Sequence, residues 1–384
     1  IDDTVLANYK SMDHEGCPGP TTSPAIAAYA LAHPWDAGAA FASDPSLTAP
    51  YAMGSLTQSA RTAALNLLNL YRYTAGLGEV TEDPGYTELA QAAALICAVK
   101  GGITHSPSRV ADMDGDLYTL CARGAYRSNL AEGYGSLPAS IRDAWVSDGD
   151  MANYGQLGHR RWCLNPAMGR TGFGLVYNRS GRAFTAMYAI DGSGGGESLV
   201  AWPAQNTPLE LLSDQNRLVW SLVTGGDWTR DEVTVTLTRT NRSPKTWRFS
   251  ADGSDGFFTM NNDFGMENCL VFRPDGMDGY QAGDHFDVEV VLGDGLIVRY
   301  GVDFFRLGSP GSADAPVSGL RGDVNGDGRV NRQDRVYLAR ALAGWEDYPL
   351  PDASAADVNR DGSVNRQDRV YLSRALAGWE GCGL

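Results

Sequence analysis

Apolar residues recur every three to four positions through the first half of the chain and every second position through much of the third quarter. In the helical part, Ala64, Leu65, Leu67, Leu68 and Tyr71 share one face, with Thr57 or Ser59 placed to cap the start and Gly76 and Gly78 to end it. A second helix is predicted over Tyr86–Lys100, carrying Leu89, Ala93, Ile96 and Cys97 on one side and stopped by Gly101-Gly102. A third is predicted over Asp116–Ala125, then a loop at 128–133 (Ser-Asn-Leu-Ala-Glu-Gly), then a helix over Leu137–Ser147. Two strands, Gly169–Tyr177 and Ala183–Ile190, are joined by the hairpin signal Asn178-Arg-Ser-Gly. Residues 55–197 therefore read as an α+β domain. Residues 1–54, rich in Pro, Gly and Ser and with a short helix from Pro24 to Ala32, read as an arm packing on it.

Period two takes over in residues 198–306. Strands are predicted at Val233–Arg239, Thr246–Phe249, Phe286–Leu292 and Leu296–Val302, with turns at Asp227, Asp252-Gly and Gly293-Asp-Gly, which makes a small all-β sandwich. Its Trp202, Trp220, Trp228 and Trp247 serve either as platforms for sugar rings or, more commonly for such residues, as core. Residues 307–321 (LGSPGSADAPVSGLR) have the composition of a flexible linker.

Residues 322–384 contain one unit written twice. DVNGDGRVNRQDRVYLARALAGWE (323–346) and DVNRDGSVNRQDRVYLSRALAGWE (357–380) lie 34 positions apart and differ only at 326/360, 329/363 and 339/373. Oxygen side chains recur at loop positions 1, 3, 5, 9 and 12: Asp323, Asn325, Asp327, Asn331 and Asp334, then Asp357, Asn359, Asp361, Asn365 and Asp368. Gly328 and Gly362 occupy position 6, and the position 7 residues, Arg329 and Ser363, are counted with the ligand set. Hard oxygen donors at this spacing, with glycine at the tight turn, are what a Ca²⁺ loop requires, and two such loops predict two ions. In the helix that follows, Leu338, Ala341, Leu342 and Trp345 fall on one face, which we expect to be core. The opposite face is small and apolar with one cation, as suits docking to another protein: Val336, Ala339, Arg340 and Ala343, repeated as Val370, Ser373, Arg374 and Ala377. Calcium does not require Arg332-Gln333 to recur as Arg366-Gln367, so the duplicated surface points to a partner met in two orientations.

With D-x-N-x-D-G-x-V-N-x-x-D and L-x-R-x-L-x-G present twice, the segment resembles a type I dockerin, a small helical module with EF-hand-like loops. That resemblance implies docking to a cohesin module of a scaffolding protein in a cellulosome-type complex. The contacts it implies are Arg332, Gln333, Val336, Ala339, Arg340 and Ala343, with Arg366, Gln367, Val370, Ser373, Arg374 and Ala377 in the other copy. Arg-Gln stands where many dockerins carry Ser-Thr.

A second resemblance rests on N-L-A-x-G at 129–133, Ala144-Trp145, GHRRW-x-LNP at 158–166 and the strand signature GFG. These are similar to the CAP superfamily of cysteine-rich secretory and pathogenesis-related proteins, which implies an α-β-α sandwich with a cleft. The family's cleft holds two histidines and two acids, and some members bind a divalent metal there. Residue by residue, His105 and His159 take the histidine positions and Asp148 takes one acid; Ser128 stands at the other, with Glu132 close enough to replace it. Two histidines and one or two carboxylates can hold Zn²⁺ or another divalent ion, or run acid–base hydrolysis. They can equally be fold determinants. Cys97 and Cys163 are either nucleophiles beside a histidine or, as their apolar faces favour, buried thiols.

Charge and composition narrow the partners. A formal charge of −15 over 384 residues argues against nucleic acid or an anionic membrane. No apolar run is long enough for a transmembrane segment. Ile1 opens no leader, which fits a start after leader cleavage or at an engineered boundary. The six cysteines show no zinc spacing and permit disulfides without demanding them. The sequence thus predicts a secreted, multi-domain component brought to a cell-surface complex through a scaffoldin. Its CAP-like domain would recognise a glycan, lipid or peptide; the alternative is a protease or a polysaccharide or cell-wall hydrolase using the cleft histidines.

Overall fold

The computed structural model describes residues 22–36, 38–149, 153–195, 199–213, 218–224, 228–263, 265–293, 295, 297–308, 321–325, 330, 332–345, 348, 350, 353–359 and 363–376, with only the backbone of 332, 333, 353 and 354. The described residues fall into two compact units, one within 29–305 and the other within 306–376 together with 22–28.

Helix α1 (Ser23–Ala32) is followed by a two-residue-wide pairing of β1 (Phe41–Ser43) with β2 (Ser55–Leu56). Helix α2 (Gln58–Thr74) starts where Thr57 accepts the Ala60 N–H, as the sequence predicts. Tyr73 of α2 stacks under Tyr29 at 4.4 Å, and Asn66 donates to the Pro34 carbonyl. After β3 (Thr81–Glu82), Asp83 caps α3 (Pro84–Lys100), and Gly101 ends it at φ 73°, a left-handed turn that glycine takes without strain. Helix α4 (Gly115–Arg127) lies against α3. The approach is close enough that a Cβ on Gly124 would sit 1.9 Å from the Leu89 carbonyl oxygen.

Residues 128–132, expected as a loop, are instead strand β4 (Ser128–Glu132), whose five residues pair with β7 (Ala183–Tyr188). The polar Ser-Asn pair masked a strand that is buried almost throughout. A single turn α5 (Leu137–Ala139) continues as a π-helical stretch, Ser140–Val146, and α6 (Gly158–Cys163) follows. Short β5 (Arg170–Thr171) pairs with β3, and β6 (Phe173–Tyr177) completes the antiparallel sheet β4-β7-β6. Helix α3 covers one face of that sheet, with Leu130, Val176, Phe184 and Ala186 in the core between them. On the other face Thr185 reaches Ser140 of the π-helical stretch at 2.8 Å. Mixed helix and sheet over this region is what the sequence predicts.

The rest of the first unit is β-structure in two antiparallel-dominated sheets. One has the order β13-β14-β10-β8, from β8 (Val200–Trp202), β10 (Trp220–Val223), β13 (Gly256–Asn261) and β14 (Cys269–Pro274). The other has the order β12-β11-β15-β16-β9, from β9 (Asn206–Pro208), β11 (Thr234–Arg239), β12 (Lys245–Phe249), β15 (His285–Val291) and β16 (Ile297–Phe305). Trp220 of the first sheet meets Phe286 and Phe304 of the second at 5.5 and 6.3 Å, so aromatic side chains join the two layers. Trp202, Trp220 and Trp247 are at most 2% exposed and belong to the core, not to a sugar platform.

In the second unit, α7 (Arg332–Leu342), a short α8 (Ala353–Ala356) and α9 (Arg366–Leu376) enclose a small core of Val324, Leu338, Ala356, Val358 and Leu372. Leu342 packs against that core as expected, whereas Trp345 is 56% exposed. The helix ends at Leu342 and Gly344 turns the chain at φ 76°, so position 345 no longer follows the helical period.

Candidate functional site

The C-terminal loops close on themselves. Loop position 12 is Asp334, fully buried, and its Oδ1 accepts the N–H groups of Val324 and Asn325 at 2.9 and 3.3 Å. In the other copy, buried Asp368 accepts from the Asn359 N–H at 3.1 Å and from the Asn365 N–H at 2.8 Å. The last ligand position is thereby drawn onto the first few residues of each loop, and Asp323 beside it is only 5% exposed. Carboxylates gathered out of solvent at both ends of a twelve-position loop form a donor set that fits a hard divalent cation. Asp327, Arg329, Asn331 and Asp361 lie outside the described residues, as does Ala377 and the side chains of Arg332 and Gln333. Among the described residues no three His, Cys, Asp or Glu gather as a metal site.

The helices that follow present the expected outward residues. Val336 is 41% and Val370 44% exposed. Arg366, Gln367 and Arg374 are exposed, Ser373 and Ala339 half-buried, and Ala343 exposed. Asn359 of the second loop and Arg366, Gln367, Val370, Tyr371 and Arg374 of α9 line an open pocket of about 370 Å³.

In the first unit the cleft residues are only partly brought together. Asp148, 1% exposed, accepts His159 Nδ1 through Oδ1 at 2.9 Å, and its Oδ2 accepts the backbone N–H groups of His159 and Arg160 at 2.9 and 3.3 Å. The His159 ring keeps 23% of its surface accessible. Asp148 and Leu157 adopt φ of 45° and 51°, left-handed backbone that costs a non-glycine residue about 1–3 kcal/mol and that clusters at functional sites. Asn129 holds this end of β4 to α6 by donating to the His159 carbonyl. His105, in contrast, is exposed and spends Nδ1 on the Ala125 carbonyl at 2.8 Å. Glu132 pairs with Arg182 at 3.0 Å. Strand alternation puts Ser128 and Glu132 on the Leu130 side and Asn129 on the other. Ser128 Oγ is buried with no hydrogen-bond partner.

Sequence reasoning missed the arginines of GHRRW. Arg160 is 1% exposed and donates to the carbonyls of Val146, Ser147 and Val219 and to Ser221 Oγ. Arg161 donates to the carbonyls of Gln156 and Met266 and to Asn261 Oδ1. They join α6 to the four-stranded sheet. Tyr71 adds a hydrogen bond to the Leu211 carbonyl at 2.6 Å and a ring contact with Trp202. Thiol chemistry is disfavoured: Cys97, Cys121, Cys163 and Cys269 are free and buried. Burial lifts the Cys97 and Cys269 thiols to about 11, Cys121 to about 12 and Cys163 higher still, so all four are protonated at neutral pH. Cys17 and Cys382 lie outside the described residues.

Two family models match the chain: the cysteine-rich secretory protein family over residues 65–188, and the dockerin type I domain over residues 319–377. No curated protein and no solved structure matches it. Among the described residues no helix is long and apolar enough to cross a membrane.

Proposed function

From a chain that joins a cysteine-rich secretory protein (CAP) domain to a C-terminal type I dockerin, we propose that it is a secreted component of a cellulosome-type assembly. A type I dockerin implies calcium binding and a cohesin partner. The observation that carries the reading is the pair of closed loops, each with a buried position 12 aspartate, leading into helices that expose Val336 and Val370. Asp323, Asn325, Asp327, Asn331 and Asp334, with their counterparts Asp357, Asn359, Asp361, Asn365 and Asp368, would hold the two ions; position 7 would contribute at Arg329 and Ser363. Calcium there would supply charge neutralisation and fix the loops from which the docking helices start.

The CAP domain is the displayed part, and recognition of a glycan, lipid or peptide suits it better than catalysis. His105 turns Nδ1 to the Ala125 carbonyl and keeps Nε2, but Glu132 is paired with Arg182 and Ser128 stands at the other acid position, which leaves one carboxylate, Asp148, where the family has two. The two-layer β-region behind it is read as a β-sandwich that braces the CAP domain. One observation favours a second reading. Asp148 orients His159 through Nδ1, the arrangement that prepares an imidazole for general-base work in a hydrolase. A divalent ion in the cleft would draw on His105, His159 and Asp148, with Glu132 as a further oxygen donor.

Calorimetric titration of the full chain with recombinant type I cohesins, with and without calcium, tests the docking reading; heat only in calcium is expected. A hydrolase screen against peptide, cell-wall and polysaccharide substrates tests the second reading. Activity that disappears in both His159→Ala and Asp148→Asn would replace recognition by catalysis.

A further inference from the structure

Charge is unevenly shared along this chain. Residues 321–384 hold nine arginines and no lysine against ten Asp and Glu, a formal charge of −1, so the other −14 of the chain's −15 lies before them. Six of those ten carboxylates are the aspartates of the two loops, and two ions of charge +2 each would carry the segment from −1 to +3. The helices concentrate the positive side of that balance. Each of α7 and α9 carries three arginines and a single acid, and that acid is the buried aspartate at loop position 12. At about 100° per residue, Arg366 and Val370 lie on the side of α9 away from buried Asp368 and Leu372, and Arg369 borders them. On α7, Arg335 and Val336 repeat the pair made by Arg369 and Val370. Arg335, Arg366 and Arg369 are exposed, and among the described residues none of the three makes an ion pair. Arg366 and Val370 also share the open pocket.

We propose that the calcium-loaded module docks through a cationic face that selects a cohesin with an acidic docking surface, and that Arg335 and Arg369 steer the encounter. Both arginines lie outside the contact set that the dockerin resemblance implies, and the inference rests on the dockerin reading. An exposed valine beside arginines fits a protein surface that combines carboxylates with an apolar contact. A polyanionic glycan supplies the charge but no apolar side chain to seat on Val336 or Val370, and the acidic remainder of the chain repels it. Calcium then acts twice: it orders the loops from which the helices start, and it gives the module the sign that attracts its partner.

The test uses the full chain in calcium and a panel of recombinant type I cohesin modules of differing net charge, with association and dissociation rates measured separately. For the parent, the association rate is expected to rise with the acidity of the cohesin and to fall about 10-fold between about 50 and about 500 mM salt. Reversing Arg335 and Arg369 together (R335E, R369E) is expected to slow association about 10-fold at low salt and to flatten its salt dependence. Dissociation should change by less than about 3-fold, a split that damage to the fold would not produce. The neutral pair R335Q, R369Q, which disturbs the helices less, should slow association about 3-fold, and Arg123→Glu on the first unit by less than about 2-fold. Association that ignores salt, or equal rates in the parent and both arginine pairs, would overturn the cationic face while leaving docking intact. Tighter capture by polygalacturonate than by any cohesin would replace the partner by an anionic polysaccharide. A parent chain that binds neither would overturn the docking reading and this inference with it.

Discussion

At the scale of single residues, the motif that drew attention for its histidine is held in place by its arginines. Burial lowers Arg160 to about 10, so it stays a cation at neutral pH and is offset there by carbonyls alone at Nε and Nη2 and by a carbonyl and a hydroxyl at Nη1. Replacing it by methionine removes the charge but orphans the buried carbonyls of Val146, Ser147 and Val219. We expect a loss of about 3–5 kcal/mol in denaturant unfolding of the first unit, with Arg160→Lys recovering little of it. The role was illegible in the sequence because its partners Val219 and Ser221 lie 59 and 61 residues away. Asp191 is a similar case with a pH signature. Burial alone would raise its pKa, but Ser193 Oγ and the N–H groups of Gly169, Ser193 and Arg170 outweigh burial and hold it at about 2. A folded value below the unfolded one means stability fully present above about 3.8 and lost as the pH falls from there through about 2. Asp191→Asn should therefore cost about 2 kcal/mol at pH 7. That difference from the parent should shrink steadily in unfolding curves taken below pH 4. A pH-independent gap would mean that lost packing, not the carboxylate, sets the effect.

Among elements, what the sequence disclosed depended on which faces see water. All four strands it predicts in the β-region lie in the five-stranded sheet, where β11 and β15 alternate buried and accessible residues. The whole of the other sheet went unread. Trp220–Val223 is buried at every position and Cys269–Pro274 at every position but Arg273, because aromatic layers cover one side and α6 with Tyr71 cover the other. A strand buried on both faces has no period to read. Helices were legible in proportion to their caps: Thr57 and the glycines after α2 and α3 set ends that the structure keeps. How closely they pack was not. Gly124 allows α4 to lie on the backbone of α3, and the atom a Cβ would meet is a carbonyl oxygen that cannot swing aside. Gly124→Ala should cost about 3 kcal/mol, the upper end for overpacking, seen as a lowered midpoint in thermal unfolding. An unchanged midpoint would mean that the two helices can slide apart freely.

The whole molecule divides by what holds each unit together. Residues 29–305 rest on extended aromatic and aliphatic cores, so no ion is needed to explain their folding. The core cluster of the second unit holds five fully buried apolar residues among those described, too few to offset the entropy of ordering a module of about 60 residues without a staple. Its repeated loops were the most legible part of the sequence, since ligand spacing is local and survives without knowledge of the fold. They also bury Asp323 and Asp334, with Asp368 in the other copy, and burial penalises a carboxylate's charge until a cation neutralises it. Binding free energy at those loops is then folding free energy for the module. Chelation should convert the chain beyond Arg321 into a protease-sensitive tail, mapped by mass spectrometry of limited digests. Calorimetry should meanwhile keep one cooperative transition from the first unit and lose a separate, calcium-dependent one. Restoring calcium should return both. A C-terminal module that stays resistant in chelator would mean its small core suffices, and the repeated aspartates would need another explanation.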